Sequence, residues 1–252
     1  MKLTRTLPLF IGLSIVTLGC KDNKEENVET ENTTEVENEV AEEQNEWESL
    51  FNGEDLEGWK AYNSEEAPSN WTVQDGAITF TPAEGSTGSE NLITTEEYKN
   101  FELELEWKIS EGGNSGIMFG VQEEADLNEP YLTGPEIQVL DNKKHPDAKN
   151  GPIRQAGALY DMVPPSKDVT KPAGEWNKTT ITINHEENLG TVVMNGEQIS
   201  EFPLHGEEWK ALVEKSKFKD WEKFGSNPSG HIALQDHDDQ VMYRNIRIKK
   251  LD

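Results

Sequence analysis

The sequence has a single cysteine, few basic side chains and no long apolar run. One cysteine among 252 residues excludes an intramolecular disulfide and a cysteine-based zinc cluster. The 23 lysines and arginines are outnumbered by 49 aspartates and glutamates, which gives a formal net charge of −26. Such a negative surface repels nucleic acid and anionic lipid, so no nucleic-acid partner is expected. The absence of an apolar stretch of roughly 18 residues excludes a membrane-spanning helix.

The N-terminal segment has the organisation of a bacterial export signal. Lys2 and Arg5 form a charged start, and an apolar stretch follows over residues 7–18. The segment ends in Thr17-Leu18-Gly19-Cys20, which resembles a bacterial lipobox. We therefore predict a lipoprotein signal peptide over residues 1–20, with Cys20 as the lipidation site. The protein would then be lipid-anchored to the outer membrane of the cell envelope, facing either the periplasm or the cell surface, without spanning the membrane. The alternative is an ordinary signal peptide in which the cysteine is incidental.

Residues 21–46 differ in composition from the rest of the chain. They contain eleven acidic residues, two lysines and no aromatic residue, for a net charge of −9. A segment of this kind buries too little apolar surface to offset the loss of chain entropy on folding. We predict a disordered acidic tether; the alternative is a docking tail or a cation-binding tail.

Residues 47–252 have the composition of one folded domain and contain all seven tryptophans. Apolar and charged residues alternate strictly over residues 101–109, which is typical of a half-buried strand. Asn195-Gly196 predicts a type I′ hairpin turn, and residues 207–216 have apolar residues at helical spacing. Further strands are predicted at 71–73, 77–80, 115–121, 135–140, 157–161, 178–184, 191–194, 197–201, 230–236 and 241–250. This many short strands with one helix indicates an antiparallel β-sandwich.

Three of these strands have one apolar face and one polar face. The apolar faces consist of Ile117, Phe119, Val121, Ile137, Val139, Ile232 and Leu234. The opposite faces consist of Asn114, Gly116, Met118, Gly120, Glu136, Gln138, His231, Gln235 and His237. Amides, imidazoles and glycines are unlike the lysines and glutamates of an ordinary solvent-facing sheet. We therefore predict a ligand groove on this side; the alternative is a solvated outer face of the sheet.

Several motifs in the domain are similar to those of one known family. They are LFNGEDLEGW at 50–59, GGNSGI at 112–117, GPEIQVLD at 134–141, KPAGEWN at 171–177, LQDH at 234–237 and YRNI at 243–246. In this order they resemble the 3-keto-disaccharide hydrolase domain family, also called DUF1080, over about residues 47–251. The resemblance implies a concanavalin A-like jelly-roll β-sandwich of two antiparallel sheets, and a carbohydrate substrate.

The resemblance also implies cleavage of 3-keto-glycosides. A ketone at C3 of a sugar acidifies the proton on C2, so a base can remove that proton and expel the C1 substituent; water then adds to the unsaturated sugar. This route needs a base, a hydrogen-bond donor for the enolate oxygen and an acid for the leaving group. It needs no redox cofactor, and the sequence has no G-x-G-x-x-G loop. A separate sugar-oxidising oxidoreductase is therefore an expected partner in the pathway.

The predicted catalytic residues are Glu136, Asp141, His145, His237 and Arg244. Glu136 or His145 is the base, with Asp141 orienting His145, and His237 is the acid. Arg244 has the same strand parity as Met242, Ile246 and Ile248, which predicts a charge among apolar neighbours that stabilises the enolate or pairs with Glu136. The predicted substrate-binding residues are Asn114, Gln138, Tyr160 and Gln235.

Three alternatives remain open from the sequence. Residues 136–141 look like the glucanase pattern Glu-x-Asp-x-x-Glu, so Glu136 and Asp141 could act as a glycosidase pair if a β-bulge near Val139 brings them to one face. The same groove could belong to a lectin-like module that binds carbohydrate without cleaving it. No cofactor is certain, and a divalent cation at Asp236 and Asp238 is the alternative to a site without metal.

Overall fold

The structure is a computed structural model that describes residues 46–65, 68–83 and 90–251. The predicted signal peptide, the lipidation site Cys20 and the tether up to residue 45 lie outside the described residues. Within the described ranges, no helix is both long enough and apolar enough to cross a membrane.

The described residues form thirteen strands and one α-helix. The strands of the first half are β1 (Glu48–Ser49), β2 (Trp59–Ala61), β3 (Trp71–Gln74), β4 (Ala77–Phe80), β5 (Leu92–Thr94), β6 (Phe101–Ile109) and β7 (Asn114–Val121). Those of the second half are β8 (Glu136–Leu140), β9 (Asn177–Asn184), β10 (Leu189–Met194), β11 (Glu197–Phe202), β12 (His231–Leu234) and β13 (Val241–Lys250). Helix α1 spans Gly206–Lys215, and 3-10 turns span Pro130–Leu132, Pro146–Asn150 and Pro152–Arg154.

The strands form two antiparallel sheets. The larger sheet has the order β11-β10-β9-β6-β13-β4-β3, with β1 paired to β13. The smaller sheet has the order β2-β5-β12-β7-β8. The core contains buried apolar side chains from both sheets, as expected where two amphipathic sheets pack face to face. The predicted jelly-roll β-sandwich with one short helix is confirmed.

Alternation in β6 shows why the sequence adopts this fold. Phe101, Leu103, Leu105, Trp107 and Ile109 are all buried, while the residues between them are partly exposed. Burying a large apolar side chain contributes about 1.5–3 kcal/mol, so this strand is a major contributor to the core. The predicted hairpin is also confirmed, because Asn195 and Gly196 have φ angles of 50° and 86°, both positive as a type I′ turn requires.

The predicted strand at 157–161 is not a regular strand. Its backbone nevertheless lies along the free edge of β8, where the Gly157 and Tyr160 amides donate to the carbonyls of Gln138 and Glu136 at 2.9 Å each. The segment pairs with β8 as a strand would, but turns on both sides limit this pairing to isolated bridges. This pairing places Tyr160 beside Glu136.

Irregularities in two strands reverse the face that the alternation predicts. In β7, Gly120 has φ 64° and the register against β12 shifts, so Val121 packs with Met118 in a second, smaller apolar cluster. In β13, the register against β6 shifts between Arg244 and Arg247, with Asn245 at φ 53°. The parity predicted for Val121 and for Arg244 is wrong for this reason.

Candidate active site

A cleft with two lobes opens on the polar side of the smaller sheet. The larger lobe, about 460 Å³, is lined by Asn114, Glu129, Tyr131, Glu136, Gln138, Tyr160, Lys217, Trp221, Gln235, Asp236, His237 and Asp238. The smaller lobe, about 350 Å³, is lined by Asn114, His145, Pro146, Asp147, Asn150, Tyr160 and His237. Asn114, Tyr160 and His237 line both lobes. The structure therefore brings together all four predicted substrate-binding residues and three of the five predicted catalytic residues.

Glu136 lies at the start of β8 on the polar face of the strand, and it is buried. Burial raises the pKa of Glu136 to about 7, although the positive charge of Lys217 acts in the opposite direction. Gly116 in β7 pairs with Gln138, two residues along β8, and an added Cβ there would lie 2.1 Å from the Glu136 Oε1 atom. Only glycine leaves room for this carboxyl group in its present position. A carboxyl group with a pKa near neutrality is suited to proton transfer.

Two buried amide oxygens in the larger lobe lack hydrogen-bond partners. They are Asn114 Oδ1 and Gln235 Oε1, for which no donor is present among the described residues. The backbone of each residue is held, because Asn114 N donates to Asp239 Oδ2 at 3.0 Å and Gln235 N donates to the Gly116 carbonyl at 2.9 Å. A buried acceptor without a partner is unfavourable, and sugar hydroxyl groups could supply the missing donors.

The rings of His145 and His237 both line the smaller lobe, with their centroids 6.2 Å apart. The Asp147 backbone amide donates to His145 Nδ1 at 3.1 Å. Burial lowers the pKa of His145, which the nearby carboxylate of Asp239 only partly offsets. A neutral ring that accepts at Nδ1 carries its proton on Nε2. His145 is therefore a hydrogen-bond donor to the cleft, and Glu136 is the better candidate for the base.

The Asp141 carboxylate lines neither lobe, and the predicted contact with the His145 ring is not formed, because that ring accepts from the Asp147 amide. The pairing of β7 with β8 continues in register to Leu140, and without a bulge Asp141 falls on the other face of the strand. Its carboxylate instead accepts hydrogen bonds from the Gly112 and Lys143 backbone amides, at 2.8 and 3.0 Å. Asp141 holds the turn that leads to His145, whose backbone amide donates to the Asp141 carbonyl at 3.0 Å, while the His145 ring is oriented by the Asp147 amide. The carboxylate pair of the glucanase alternative is not formed.

Arg244 lies on the outer face of the larger sheet and lines neither lobe. Its guanidinium donates to Glu106 Oε2, with Nη2 at 2.7 Å and Nε at 2.8 Å, and lies 4.0 Å from the ring centroid of Trp176. The predicted pairing with Glu136 is wrong. The bulge that contains Asn245 explains the error, because it turns Ile246 and Ile248 into the core while Arg244 stays outside.

Lys217 is the one lysine or arginine among the described residues that line the cleft, and no sequence pattern predicted it there. It follows helix α1, and its Nζ lies 4.4 Å from the Tyr160 ring centroid and 5.1 Å from that of Phe218. Burial lowers the pKa of Lys217, whereas the charge of Glu136 raises it. Trp221, also missed, packs against Phe218 with centroids 5.0 Å apart. A loop of this kind has no periodic pattern, although a tryptophan among charged residues at 217–222 is a weak signal of a binding surface.

A hydrogen-bonded network holds Tyr160 at the junction of the lobes. The Tyr160 hydroxyl donates to Asp147 Oδ2 at 2.7 Å and accepts from Arg154 Nη1 at 2.8 Å. Arg154 also pairs with Asp161 at 2.8 Å, whose carboxylate accepts from the Lys217 backbone amide at 2.7 Å. Burial and the hydrogen bond to Asp147 raise the pKa of Tyr160. Tyr160 therefore stays protonated and positions its neighbours.

A bound metal ion needs several side-chain ligands around one point. In the described ranges, no three or more His, Cys, Asp or Glu side chains are arranged for this purpose. Asp236 accepts hydrogen bonds from the Glu90 and Asp238 backbone amides at 2.8 and 2.9 Å. This carboxylate therefore braces the loop that carries His237.

Comparison with known proteins identifies the family of this chain. A family model described as a 3-keto-alpha-glucoside-1,2-lyase-like domain matches residues 46–249. A 3-keto-disaccharide hydrolase of Bacteroides thetaiotaomicron is 42% identical over 230 residues, covering 81% of this chain and 78% of the relative.

Two crystal structures of candidate glycosyl hydrolases from Parabacteroides distasonis are also similar. The first has a TM-score of 0.77 and 32% identity, and the match covers 84% of this chain and 97% of the other. The second has a TM-score of 0.60 and 26% identity, with 81% and 99% covered. The chain therefore belongs to the 3-keto-alpha-glucoside-1,2-lyase-like family and is an enzyme, as its sequence motifs predict.

Proposed function

We propose that the protein cleaves 3-keto-glycosides by removing the C2 proton and eliminating the C1 substituent, after which water adds to the unsaturated sugar. The observation that carries this proposal is Glu136, a buried carboxyl group whose pKa burial raises to about 7. It shares its lobe with Lys217 and with two buried amide oxygens that lack donors. The family and the name of the Bacteroides relative support the same substrate class.

Each step of the proposed reaction breaks and forms defined bonds. The base takes the proton from C2, and the C2–H electron pair delocalises onto the C3 carbonyl oxygen as an enolate. The enolate collapses to form the C1=C2 bond while the C1–O bond breaks, and the leaving oxygen takes a proton. In the second stage water adds across C1=C2, with hydroxyl on C1 and hydrogen on C2. The net result is hydrolysis without a change of oxidation state.

The residues of the cleft can be given roles in these steps. Glu136 is the base, because it is a buried carboxyl group with a pKa near neutrality, whereas the other buried carboxylate of the lobe, Asp236, accepts hydrogen bonds from two backbone amides. Lys217 stabilises the enolate oxygen, the role predicted for Arg244, since a positive charge placed where negative charge develops lowers the barrier. His237 lies at the junction and protonates the leaving oxygen. His145 donates a hydrogen bond from Nε2.

The test compares keto-sugars with their unoxidised parents. Purified domain is incubated with 3-keto-trehalose and with trehalose, each with and without a chelator, and released sugar is measured. We expect turnover of the keto-sugar alone. The variant Glu136→Gln should lower kcat by roughly 100-fold or more, whereas the control Glu102→Gln, a carboxylate in β6, should not. Cleavage of trehalose alone would favour a conventional glycosidase, and binding without turnover would favour a lectin-like module.

The proposal extends to the cellular setting. We propose that Cys20 carries the lipid anchor and holds the enzyme at the outer membrane of the cell envelope. Because the reaction consumes a keto-sugar and the proposed steps change no oxidation state, a separate oxidoreductase would have to supply the substrate. Dependence on a divalent cation is decided by the chelator arm of the same experiment.

A further inference from the structure

The two lobes of the cleft differ in chemistry. Lys217 and Trp221 line only the larger lobe, whereas His145 and Asn150 line only the smaller one. Aromatic surface is concentrated in the larger lobe, where the Trp221 and Tyr131 rings lie 5.9 Å apart. A substrate of two units placed across the junction would therefore meet a different environment on each side.

We propose that the smaller lobe is the leaving-group subsite, and that Asn150 is a specificity-determining residue that selects a hydroxyl-rich leaving group such as a second sugar over an apolar one. This inference rests on the proposed function. It assigns the orientation of the substrate in the cleft and a role for a residue that the proposed chemistry does not use.

The orientation follows from the positions of the charged groups. C1 and C3 are the two ring neighbours of C2, so they lie on opposite sides of a base that removes the C2 proton. Lys217 lines only the larger lobe, together with Glu136, so the C3 oxygen points into that lobe. C1 and its substituent then point toward the junction, where His237 is placed to protonate the leaving oxygen.

The smaller lobe is suited to a polyol. Asn150 Nδ2 donates to Asp147 Oδ1 at 2.8 Å, which fixes the amide and leaves its carbonyl oxygen and second N–H to bind a ligand. His145 also lines this lobe, and its ring proton is on Nε2, because its Nδ1 atom accepts the Asp147 amide. The other residues that line this lobe are Asn114, Pro146, Asp147, Tyr160 and His237, and all of them except Pro146 carry a polar side-chain group. Such a lobe offers hydrogen bonds that the hydroxyl groups of a sugar can use and a phenyl ring cannot.

The test uses two substrates that share the keto-sugar and differ in the leaving group, namely 3-keto-trehalose and benzyl 3-keto-α-glucoside. The ratio of variant to wild-type kcat/KM is compared between them, so the intrinsic reactivity of each leaving group cancels. Asn150→Ala should lower kcat/KM on 3-keto-trehalose by about five- to tenfold, the effect of one lost hydrogen bond, mostly through KM. On the benzyl substrate it should stay within about twofold, which also shows that the variant is folded.

Two further variants make the test decisive. Lys149→Ala, which removes an exposed neighbour that lines neither lobe, should leave both substrates unchanged. Trp221→Ala should lower kcat/KM on both substrates by the same factor, because Trp221 contacts the shared keto-sugar. Equal losses for Asn150→Ala on the two substrates, or a loss for Trp221→Ala confined to 3-keto-trehalose, would overturn the assignment. A wild-type protein that cleaves neither substrate would refute the proposed function, and the subsite with it.

Discussion

Replacing Gly116 by alanine is the sharpest test of the site, because it alters the position of Glu136 and leaves its chemistry intact. The new Cβ would lie 2.1 Å from Glu136 Oε1, 2.7 Å from Cδ and 2.8 Å from Cγ. All three are side-chain atoms, so the carboxyl group can turn away while the backbone stays in place. Holding a side chain off its rotamer costs about 0.5–1.5 kcal/mol, so the fold should tolerate the change.

The expected effect on catalysis is larger than the effect on stability. A displacement of a catalytic group by about 1 Å can lower the rate roughly 100-fold, which corresponds to about 2.7 kcal/mol in the activation free energy. We expect kcat on 3-keto-trehalose to fall by about this factor. Because both changes act on the same group, adding Gly116→Ala to Glu136→Gln should cause little further loss.

The control is another strand glycine with a similar clash outside the cleft. A Cβ at Gly190 would lie 2.2 Å from the Phe202 ring, which is part of the core. Gly190→Ala should lower the unfolding temperature without lowering kcat, the reverse of the pattern expected for Gly116→Ala. The assays are initial rates and thermal unfolding on the same preparations. If Gly116→Ala keeps kcat within about threefold of the wild type, Glu136 does not act from its present position.

Further predictions concern pH, stability and anchoring. Because Glu136 must be ionised to act as a base, kcat/KM should rise as the pH increases through about 7. Lys217→Met removes a nearby positive charge and should move this rise to higher pH. An unchanged pH profile would show that Lys217 does not influence the ionisation of Glu136. Burial raises the pKa of Glu136, so the folded state loses stability relative to the unfolded state as pH rises from about 4 to above 7. The variant Glu136→Gln lacks this ionisation. It should therefore unfold at a higher temperature than the wild type at pH 8 and at the same temperature at pH 4. Arg244→Ala loses an ion pair and the Trp176 contact, which should lower the free energy of unfolding by about 1–2 kcal/mol and leave kcat unchanged. A large fall in kcat would show that Arg244 takes part in catalysis. Cys20→Ala should abolish incorporation of radiolabelled palmitate in cells, and retained label would refute lipidation at this residue.

Regular strands account for the parts of the site that could be predicted from sequence. Where alternation is uninterrupted, as in residues 136–140, the face of each side chain follows from its position, and Glu136 and Gln138 lie in the cleft as predicted. Asn114 and Gln235, at or just beyond a strand end, also lie there. The fold was predictable for the same reason, since strict alternation of the kind seen over residues 101–109 marks the two-sheet core.

The rest of the site depends on bulges and tertiary contacts, which the alternation of apolar and polar residues does not predict. A single residue in a bulge, such as Asn245, reverses the face of every residue after it, and no sequence pattern marks its position beyond the tolerance of asparagine for positive φ. Lys217 and Trp221 reach the cleft from the loop after α1, held by aromatic contacts such as that with Phe218. The placement of such a loop depends on tertiary packing, which local propensity does not determine.

The segment at 157–160 has a consequence for solubility as well as for the site. β8 is the last strand of the smaller sheet, and an open strand edge offers its amides and carbonyls to strands of other molecules. Hydrogen bonds from Gly157 and Tyr160 occupy this edge at Gln138 and Glu136. Gly157 has φ 83°, and an added Cβ would lie 2.3 Å from Ile199 Cδ1, so substitution there should loosen the cover. The strand that carries the proposed base would then also become the place where two molecules of the protein could begin to aggregate.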